Sequence, residues 1–218
     1  MTNGGYDDGY RTCPCFWGNQ PGSYVRTLFE RLNSFEGLHC LDVGCGEGKN
    51  AAYISANKGT VEAIEMSDAA LQNRPATWAG DPSIKWRNGD IRIVELEPHT
   101  YDVVVAYGLL HCMSSAEEIA QVLSKLQRAT RVGGYNVICA FNSRHQELHA
   151  HPGFSPTLLE HRDYLAAYSR EWDILTCSDC DLIETHPHNG IEHTHSMTRI
   201  LARKGPHERF VGTEDDLS

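Results

Sequence analysis

Leu41-Asp42-Val43-Gly44-Cys45-Gly46-Glu47-Gly48 is the stretch on which the reading of this chain turns. His39 to Val43 is a short apolar run that stops abruptly at glycines, the pattern of a strand followed by a turn. Gly44, Gly46 and Gly48 alternate, and glycine tolerates positive φ and lets a ligand approach the backbone closely. Asn50 to Asn57 then reads as a helix, with Ala51, Ala52 and Ile54 available for packing. The free amides at the start of such a helix favour an electronegative ligand. Taken alone, the turn suits a dinucleotide, another nucleoside ligand, or no ligand at all.

The flanking segments narrow this. Thr60 to Ile64 is a second strand that ends at Glu65, where a carboxylate can accept from both hydroxyls of a ribose. Ile84 to Arg87 is a third strand, followed by Gly89-Asp90-Ile91, where a carboxylate can accept from an adenine amine. With Asp42 at the end of the first strand, three consecutive strand ends carry acids. Further along, Tyr101 to Ala106 has the continuous apolar run of a strand buried on both faces. Tyr135 to Phe141, Trp172 to Cys177 and Ser196 to Ala202 complete the strands.

Helices are expected over Tyr24 to Leu32 with Ser23 as N-cap, over Ala69 to Arg74 with Pro75 as the stop, and over Ala116 to Thr130. The last is capped by Ser115 near Glu118 and ended by Gly133 and Gly134. Pro156 to Ser169 is expected to be helical, and Asp181 to His193 to be a polar connector. Alternating strands and helices imply an α/β fold, a mostly parallel sheet with helices on both faces and ligands at the carboxyl ends of the strands. Residues 1–22 are expected to form an irregular arm or lid, 23–204 the single domain, and 205–218 a polar tail.

The 218 residues suit one domain. No apolar run approaches the roughly 20 residues of a spanning helix, and the amino terminus lacks the basic and apolar blocks of a secretory signal. A cytoplasmic protein with no membrane partner is the expectation. A net charge of -10 disfavours nucleic acid, which requires a basic footprint. The eight cysteines are expected as free thiols, with Cys40, Cys45, Cys112 and Cys139 as small buried groups. Eight of the twelve histidines fall between His145 and His195, the one compositional oddity.

On the Asp42–Gly48 turn, Glu65, Asp90 and the strand from Tyr101 to Leu110, the chain resembles the class I S-adenosylmethionine-dependent methyltransferases from about Leu38 to Lys204. A dinucleotide fingerprint spaces its glycines G-x-G-x-x-G, whereas here the spacing is G-x-G-x-G. The resemblance implies a Rossmann-like seven-stranded sheet whose last strand, Ser196 to Ala202, runs antiparallel. It implies S-adenosylmethionine as cofactor, with Asp42, Gly44, Cys45, Gly46 and Gly48 around its methionine part. Glu65 would hold the ribose, Asp90 and Ile91 the adenine, and Tyr107 would lie near the cofactor. Met66 would cover an adenine face or serve the core. The Phe16-Trp17-Gly18 to Tyr24 segment, Leu110-His111 and His195-Ser196-Met197-Thr198-Arg199 are loosely similar to the tellurite-resistance methyltransferases.

The expected activity is methyl transfer to a small molecule through an oxygen, nitrogen or chalcogen nucleophile, by in-line displacement. No Asn-Pro-Pro-Tyr motif follows the fourth strand, where Ala106-Tyr107-Gly108-Leu109 stands instead, so amino methylation of nucleobases is disfavoured. His111 is the candidate base or hydrogen-bond donor, against a packed histidine at a strand end. Arg144, His145, His195 and Arg199 are candidates for the acceptor, with His149, His151 and Arg162 as further members of the same edge. Trp17 and Tyr24 would close the arm over the cofactor or simply pack on the sheet. His193 and His195, two apart, could share a metal ion, with Cys177-x-x-Cys180 upstream and His186 and His188 nearby. No metal ligand set is assigned at this point. The competing readings are a metal-responsive binding protein on the same fold and a protein methyltransferase.

Overall fold

The computed structural model describes residues 6–13, 15–186 and 190–206. Seven strands form one sheet in the order β3-β2-β1-β4-β5-β7-β6. They are β1 (His39–Val43), β2 (Thr60–Glu65), β3 (Ile84–Asn88), β4 (Tyr101–Tyr107), β5 (Thr130–Gln146), β6 (Trp172–Thr185) and β7 (Glu192–Lys204). The helices are α1 (Tyr6–Thr12), α2 (Ser23–Leu32), α3 (Lys49–Ala56), α4 (Asp68–Asn73), α5 (Ala76–Ala79), α6 (Ala116–Ala129) and α7 (His161–Ala166). β1 to β5 are mutually parallel, and β7 is antiparallel to both β5 and β6. This is the expected Rossmann-like α/β sheet with its antiparallel last strand. From β1 the chain steps outward to β3 and then returns to β4 on the other side of β1. The carboxyl ends of β1 and β4 are therefore the topological switch point, where ligands of such sheets bind.

Strand alternation sorts the core into two layers. Leu41, Val43, Ile64, Val104, Ile138 and Ile200 face α6 and α7, where Ile119, Val122, Leu126 and Tyr164 meet them. Cys40, Val61, Val103, Val105, Val137 and Leu201 face the other side, against Val25 and Leu28 of α2 and Ala51 and Ile54 of α3. Being apolar on both faces, β1, β4 and the middle of β5 are held in the centre of the sheet. Among the described residues no helix is long and apolar enough to cross a membrane.

Several local expectations are corrected. Ser23 lies inside α2, the N-cap being Gly22, and its amide and hydroxyl meet the Tyr107 hydroxyl at 3.2 and 3.1 Å. Ser115 does cap α6, accepting from the Glu118 amide. That helix stops at Ala129 rather than at Gly133 and Gly134, which lie in β5 where its register against β4 shifts. Within Pro156 to Ser169 only His161–Ala166 is helical. The Glu160 amide binds the Asp163 carboxylate at 3.2 Å and starts the helix there, while Leu159 bridges to Asn142 as an extended segment.

The polar stretch read as a connector is mostly sheet. Asp181 pairs with Ser196 and Thr185 with Glu192, so β6 and β7 extend well beyond their apolar centres. Polar groups sustain that extension, as where the Ser196 hydroxyl donates to Asp181 at 2.7 Å. The arm read as irregular contains α1. The tail at 207–218, residues 1–5 and His188 lie outside the described residues.

A buried polar network joins α6 to β5. The Thr130 hydroxyl donates to the Leu126 carbonyl, Asn136 Nδ2 donates to Thr130 Oγ1, and the Tyr168 hydroxyl donates to Asn136 Oδ1 at 3.1 Å. Tyr168→Phe removes one oxygen and leaves the Asn136 carbonyl oxygen without that donor. Denaturant titration is expected to show a loss of about 1–3 kcal/mol. An unchanged midpoint would mean that the network does not contribute.

Candidate active site

The turn after β1 is built by its own backbone. The amides of Gly44 and Cys45 donate to the Ile64 carbonyl at the end of β2, at 2.8 and 3.2 Å, and the Gly48 amide closes the turn on the Cys45 carbonyl. Glycine is required where the turn enters α3. Gly48 has φ +94°, and a Cβ there would stand 2.2 Å from the Trp86 ring. At Gly46, φ +57°, a Cβ would meet the Tyr10 hydroxyl at 2.8 Å.

Glu65 locks this turn to the next strand. One carboxylate oxygen accepts from the Gly46 amide at 2.9 Å and the other from the Ser67 amide at 2.8 Å. Burial raises its pKa, against the pull of those amides. Asp42 lies beneath the turn and is fully enclosed. One oxygen accepts from the Ala51 amide at 3.1 Å, and the other, buried, has no hydrogen-bond partner. Burial pushes its pKa up to about 7, with the Ala51 bond opposing. Asp90 is fixed differently, by a fork from the Arg92 side chain and a bond from the Arg92 amide. The Arg92 hydrogen bonds hold the Asp90 carboxyl below the usual carboxylate range.

The glycine turn, Glu65 and Asp90 border a cavity of about 280 Å3 at the carboxyl ends of the parallel strands. Of the residues singled out in the sequence, Trp17, Gly44, Cys45, Gly46, Gly48, Glu65, Met66, Asp90, Ile91, Tyr107 and His111 line it. Asp42 backs the turn without lining the cavity, and Tyr24 packs in the α2 layer. Arg144 is exposed and paired with Asp179 and Asp181, and His145 is exposed beside Glu147. Arg199 is half-buried, with Nη1 2.8 Å from the Cys180 sulfur. His195 is buried next to the cavity, stacked on the cavity residue Phe141.

The arm forms the roof. Tyr6 and Tyr10, one turn apart on α1, both face the cavity, and Trp17 Nε1 donates to the Tyr10 hydroxyl at 3.1 Å. Glu47 and Lys49 hold the arm from the glycine turn, through the Cys15 amide at 2.7 Å and the Trp17 carbonyl at 3.0 Å. Asn73 of α4 donates to the Cys13 carbonyl, and the Ser67 hydroxyl to Asp7. Tyr6, Tyr10, Glu47 and Lys49 were not among the candidates read from the sequence. The i, i+4 spacing of the two tyrosines was the available signal.

The far wall is aromatic. His111 sits in a single 3₁₀ turn after β4 and is 2% exposed. Its ring lies flat on Phe141, 3.9 Å between centroids and 2° between planes. The Phe141 amide donates to Nδ1 at 3.2 Å, so in the neutral ring the hydrogen is on Nε2, which is 3.4 Å from the Tyr6 hydroxyl. Burial, reinforced by His195 and His151, lowers the His111 pKa to about 3. The ring is neutral at physiological pH and presents a donor.

Asp42 generates a prediction about pH. Its folded value near 7 lies above the unfolded value of about 3.9, so the folded chain keeps a proton that the unfolded chain releases. The stability tied to that proton is complete below about pH 4 and is lost as pH rises to about 7. Asp42→Asn, which retains an acceptor for the Ala51 amide, is expected to flatten this dependence by up to roughly 3 kcal/mol between pH 5 and pH 8. Urea titrations at pH 5 and pH 8 measure it, and equal slopes in both proteins would refute the shift.

The family model for tellurite resistance protein TehB matches residues 27–191. An uncharacterized methyltransferase of Mycobacterium tuberculosis is 33% identical over 106 residues, covering 48% of this chain and 52% of the relative. A probable S-adenosyl-L-methionine-dependent methyltransferase TehB of Haemophilus influenzae is 27% identical over 167 residues, covering 75% and 56%. The chain thus spans about half the length of these curated relatives. The crystal structure of TehB from Haemophilus influenzae superposes with a TM-score of 0.70 at 22% identity, over 84% of this chain and 62% of that one. With the family model matched across most of its length, the chain belongs to the family of tellurite resistance protein TehB.

Proposed function

We propose that the chain transfers the methyl group of S-adenosylmethionine to a small acceptor that carries an oxygen, nitrogen or chalcogen nucleophile. The observation that carries this reading is one continuous cavity. It runs from the Glu65 and Asp90 carboxylates to the His111–Phe141 wall, under a roof of Tyr6, Tyr10 and Trp17. The names of the curated relatives support the cofactor.

The residues present fit that cofactor. Gly44, Gly46 and Gly48 present backbone without a side chain to the cavity they line, and the enclosed Asp42 carboxylate has an oxygen without a partner behind the turn. When bound, S-adenosylmethionine supplies a methyl already activated by the sulfonium. Gly44, Cys45, Gly46 and Gly48 would surround its methionine part, with Asp42 supporting the turn from beneath. Glu65 would accept from the ribose hydroxyls, Asp90 and Ile91 would border the adenine with Met66, and Tyr107 would stand beside the reacting end. The chain's task is then alignment and exclusion of water, which the aromatic roof serves.

His111 orients the acceptor with its Nε2 hydrogen rather than taking a proton from it, since its lone pair is on the nitrogen bound by the Phe141 amide. The acceptor therefore arrives nucleophilic, which favours a thiolate, a chalcogen oxyanion or an unprotonated amine. The roofed cavity, of small-molecule size, disfavours a protein acceptor.

Incubation of the full chain with methyl-labelled cofactor and a panel of thiols, tellurite, selenite, amines and phenols tests the reading. Label transfer and S-adenosylhomocysteine formation are expected with a soft anionic member. Absence of cofactor binding in calorimetry would overturn it. Glu65→Ala should weaken S-adenosylhomocysteine binding by more than about tenfold, about 1.4 kcal/mol. His111→Ala should lower kcat by a factor on the order of ten while leaving that affinity nearly intact. An unchanged kcat would remove His111 from the site.

A further inference from the structure

Behind the His111–Phe141 wall, four histidines and a glutamate converge. His151 Nε2 lies 3.1 Å from His193 Nε2, 3.2 Å from His195 Nε2 and 3.3 Å from His186 Nε2. Glu184 Oε1 is 3.7 Å from His193 Nε2 and 3.8 Å from His195 Nε2. One ligand atom from each of His151, Glu184, His193 and His195 falls within a 4.8 Å group. The three imidazoles are buried and Glu184 half-buried. They come from the loop after β5, the end of β6 and the start of β7, so the tertiary fold, not one local motif, assembles them.

The outer hydrogen bonds fix which nitrogens point inward. His193 Nδ1 is 2.8 Å from the Ile191 carbonyl, and His195 Nδ1 is 2.7 Å from Gln146 Oε1. The Gln146 amide nitrogen donates to the Asn142 and Ser196 carbonyls at 2.7 and 2.8 Å, which fixes its oxygen toward His195. Both acceptors are oxygens, so each Nδ1 carries the hydrogen and each Nε2 of the neutral ring is a lone pair. His151 has at most one hydrogen on Nε2 and can direct it to only one of the two. A proton satisfies a single pair, whereas a cation satisfies all the lone pairs together. Two nitrogens at about 2.0–2.1 Å from a tetrahedral zinc ion lie about 3.3–3.4 Å apart, close to the spacings here. An imidazole whose other nitrogen donates to a carbonyl is also the usual outer arrangement of a metal-bound histidine.

We propose that His151, His193, His195 and Glu184 bind one divalent cation of the zinc class, through three Nε2 atoms and a carboxylate oxygen. Imidazole and carboxylate donors suit zinc, and one negative charge against two positive lowers the cost of burying the ion. The surroundings are apolar: Phe141 stacks on His195 at 4.1 Å between centroids, and Phe154 meets His151 edge-on. Phe141 also stacks on His111, so the two imidazoles occupy its opposite faces. Glu184 belongs both to this ligand set and to the cavity wall, which places the ion beside the space assigned to the acceptor. The cysteine pair takes no part. Cys177 and Cys180 are exposed on β6, opposite Ile200 and Met197.

The site stands on its own geometry and does not depend on the methyl-transfer reading. The test uses the full chain stripped with a chelator and titrated with Zn2+ against a chromophoric competitor, with Co2+ as a spectroscopic probe. One ion per chain is expected, with the visible bands of a tetrahedral cobalt site. His193→Ala and Glu184→Gln should each weaken Zn2+ binding by more than about tenfold. Cys177→Ser with Cys180→Ser should leave it unchanged. Far-ultraviolet circular dichroism and thermal unfolding of the same samples check that each variant is folded, independently of any cofactor. If His193→Ala fails that check, Glu184→Gln decides. Substoichiometric uptake by the wild-type chain, uptake unaffected by Glu184→Gln, or uptake abolished by the cysteine substitutions would overturn the proposal.

Discussion

The bond from the Gly46 amide to the Glu65 carboxylate joins the turn after the first strand to the end of the second. Everything at the site is referenced to it. Gly46 has no side chain, so the carboxylate and the Tyr10 hydroxyl can both reach the turn. The same Glu65 holds the Ser67 amide, and Ser67 caps α4 through the Ala70 amide. α4 in turn carries Asn73, which grips the arm. One buried carboxylate thus sets the floor of the cavity and, through two further bonds, the anchorage of its roof.

That coupling gives the arm a physical reason to follow the ligand. Its contacts are polar bonds to the glycine turn and α4, plus a small aromatic cluster of Tyr10 and Phe16 with Tyr6 and Trp17 around them. Such an element can open without disturbing the two main core layers. Closed, it would exclude water from the methyl transfer proposed above. The stack of Phe16 on His186, 5.1 Å between centroids, also ties the arm to the histidine cluster. Roof, acceptor wall and proposed metal site are therefore mechanically continuous.

The parts of the fold legible in the sequence were those encoded by local patterning. Val103-Val104-Val105, the alternating glycines and the acids at strand ends placed β1, β2, β4 and the turn within a residue or two. What escaped depended on partners distant in sequence. Asp181 to Thr185 mixes acidic and polar residues with Leu182 and Ile183 and lies in a histidine-rich stretch, yet it pairs with β7, because the strand across from it supplies the backbone partners. Gly133 and Gly134 looked like a helix stop but serve a shift of register between β4 and β5. At the site, Glu65, Asp90 and His111 were legible from their positions after strands. Tyr6 and Tyr10 were hidden in a glycine-rich arm whose helix is held by tertiary bonds. His193 and His195 were readable as a same-face pair, whereas Glu184 and His151 join them only through the antiparallel register and the loop after β5.

The central claim is that the glycine turn and the arm together enclose an adenosyl ligand. Amide hydrogen exchange, followed with and without S-adenosylhomocysteine, reads both elements in one experiment. Slower exchange in Gly44–Gly48 and in α1, with the first half of β6 (Trp172–Cys177) unaffected, is the result this structure predicts. Unaltered exchange in the turn, or equal protection of it by a pyrophosphate dinucleotide, would contradict the account.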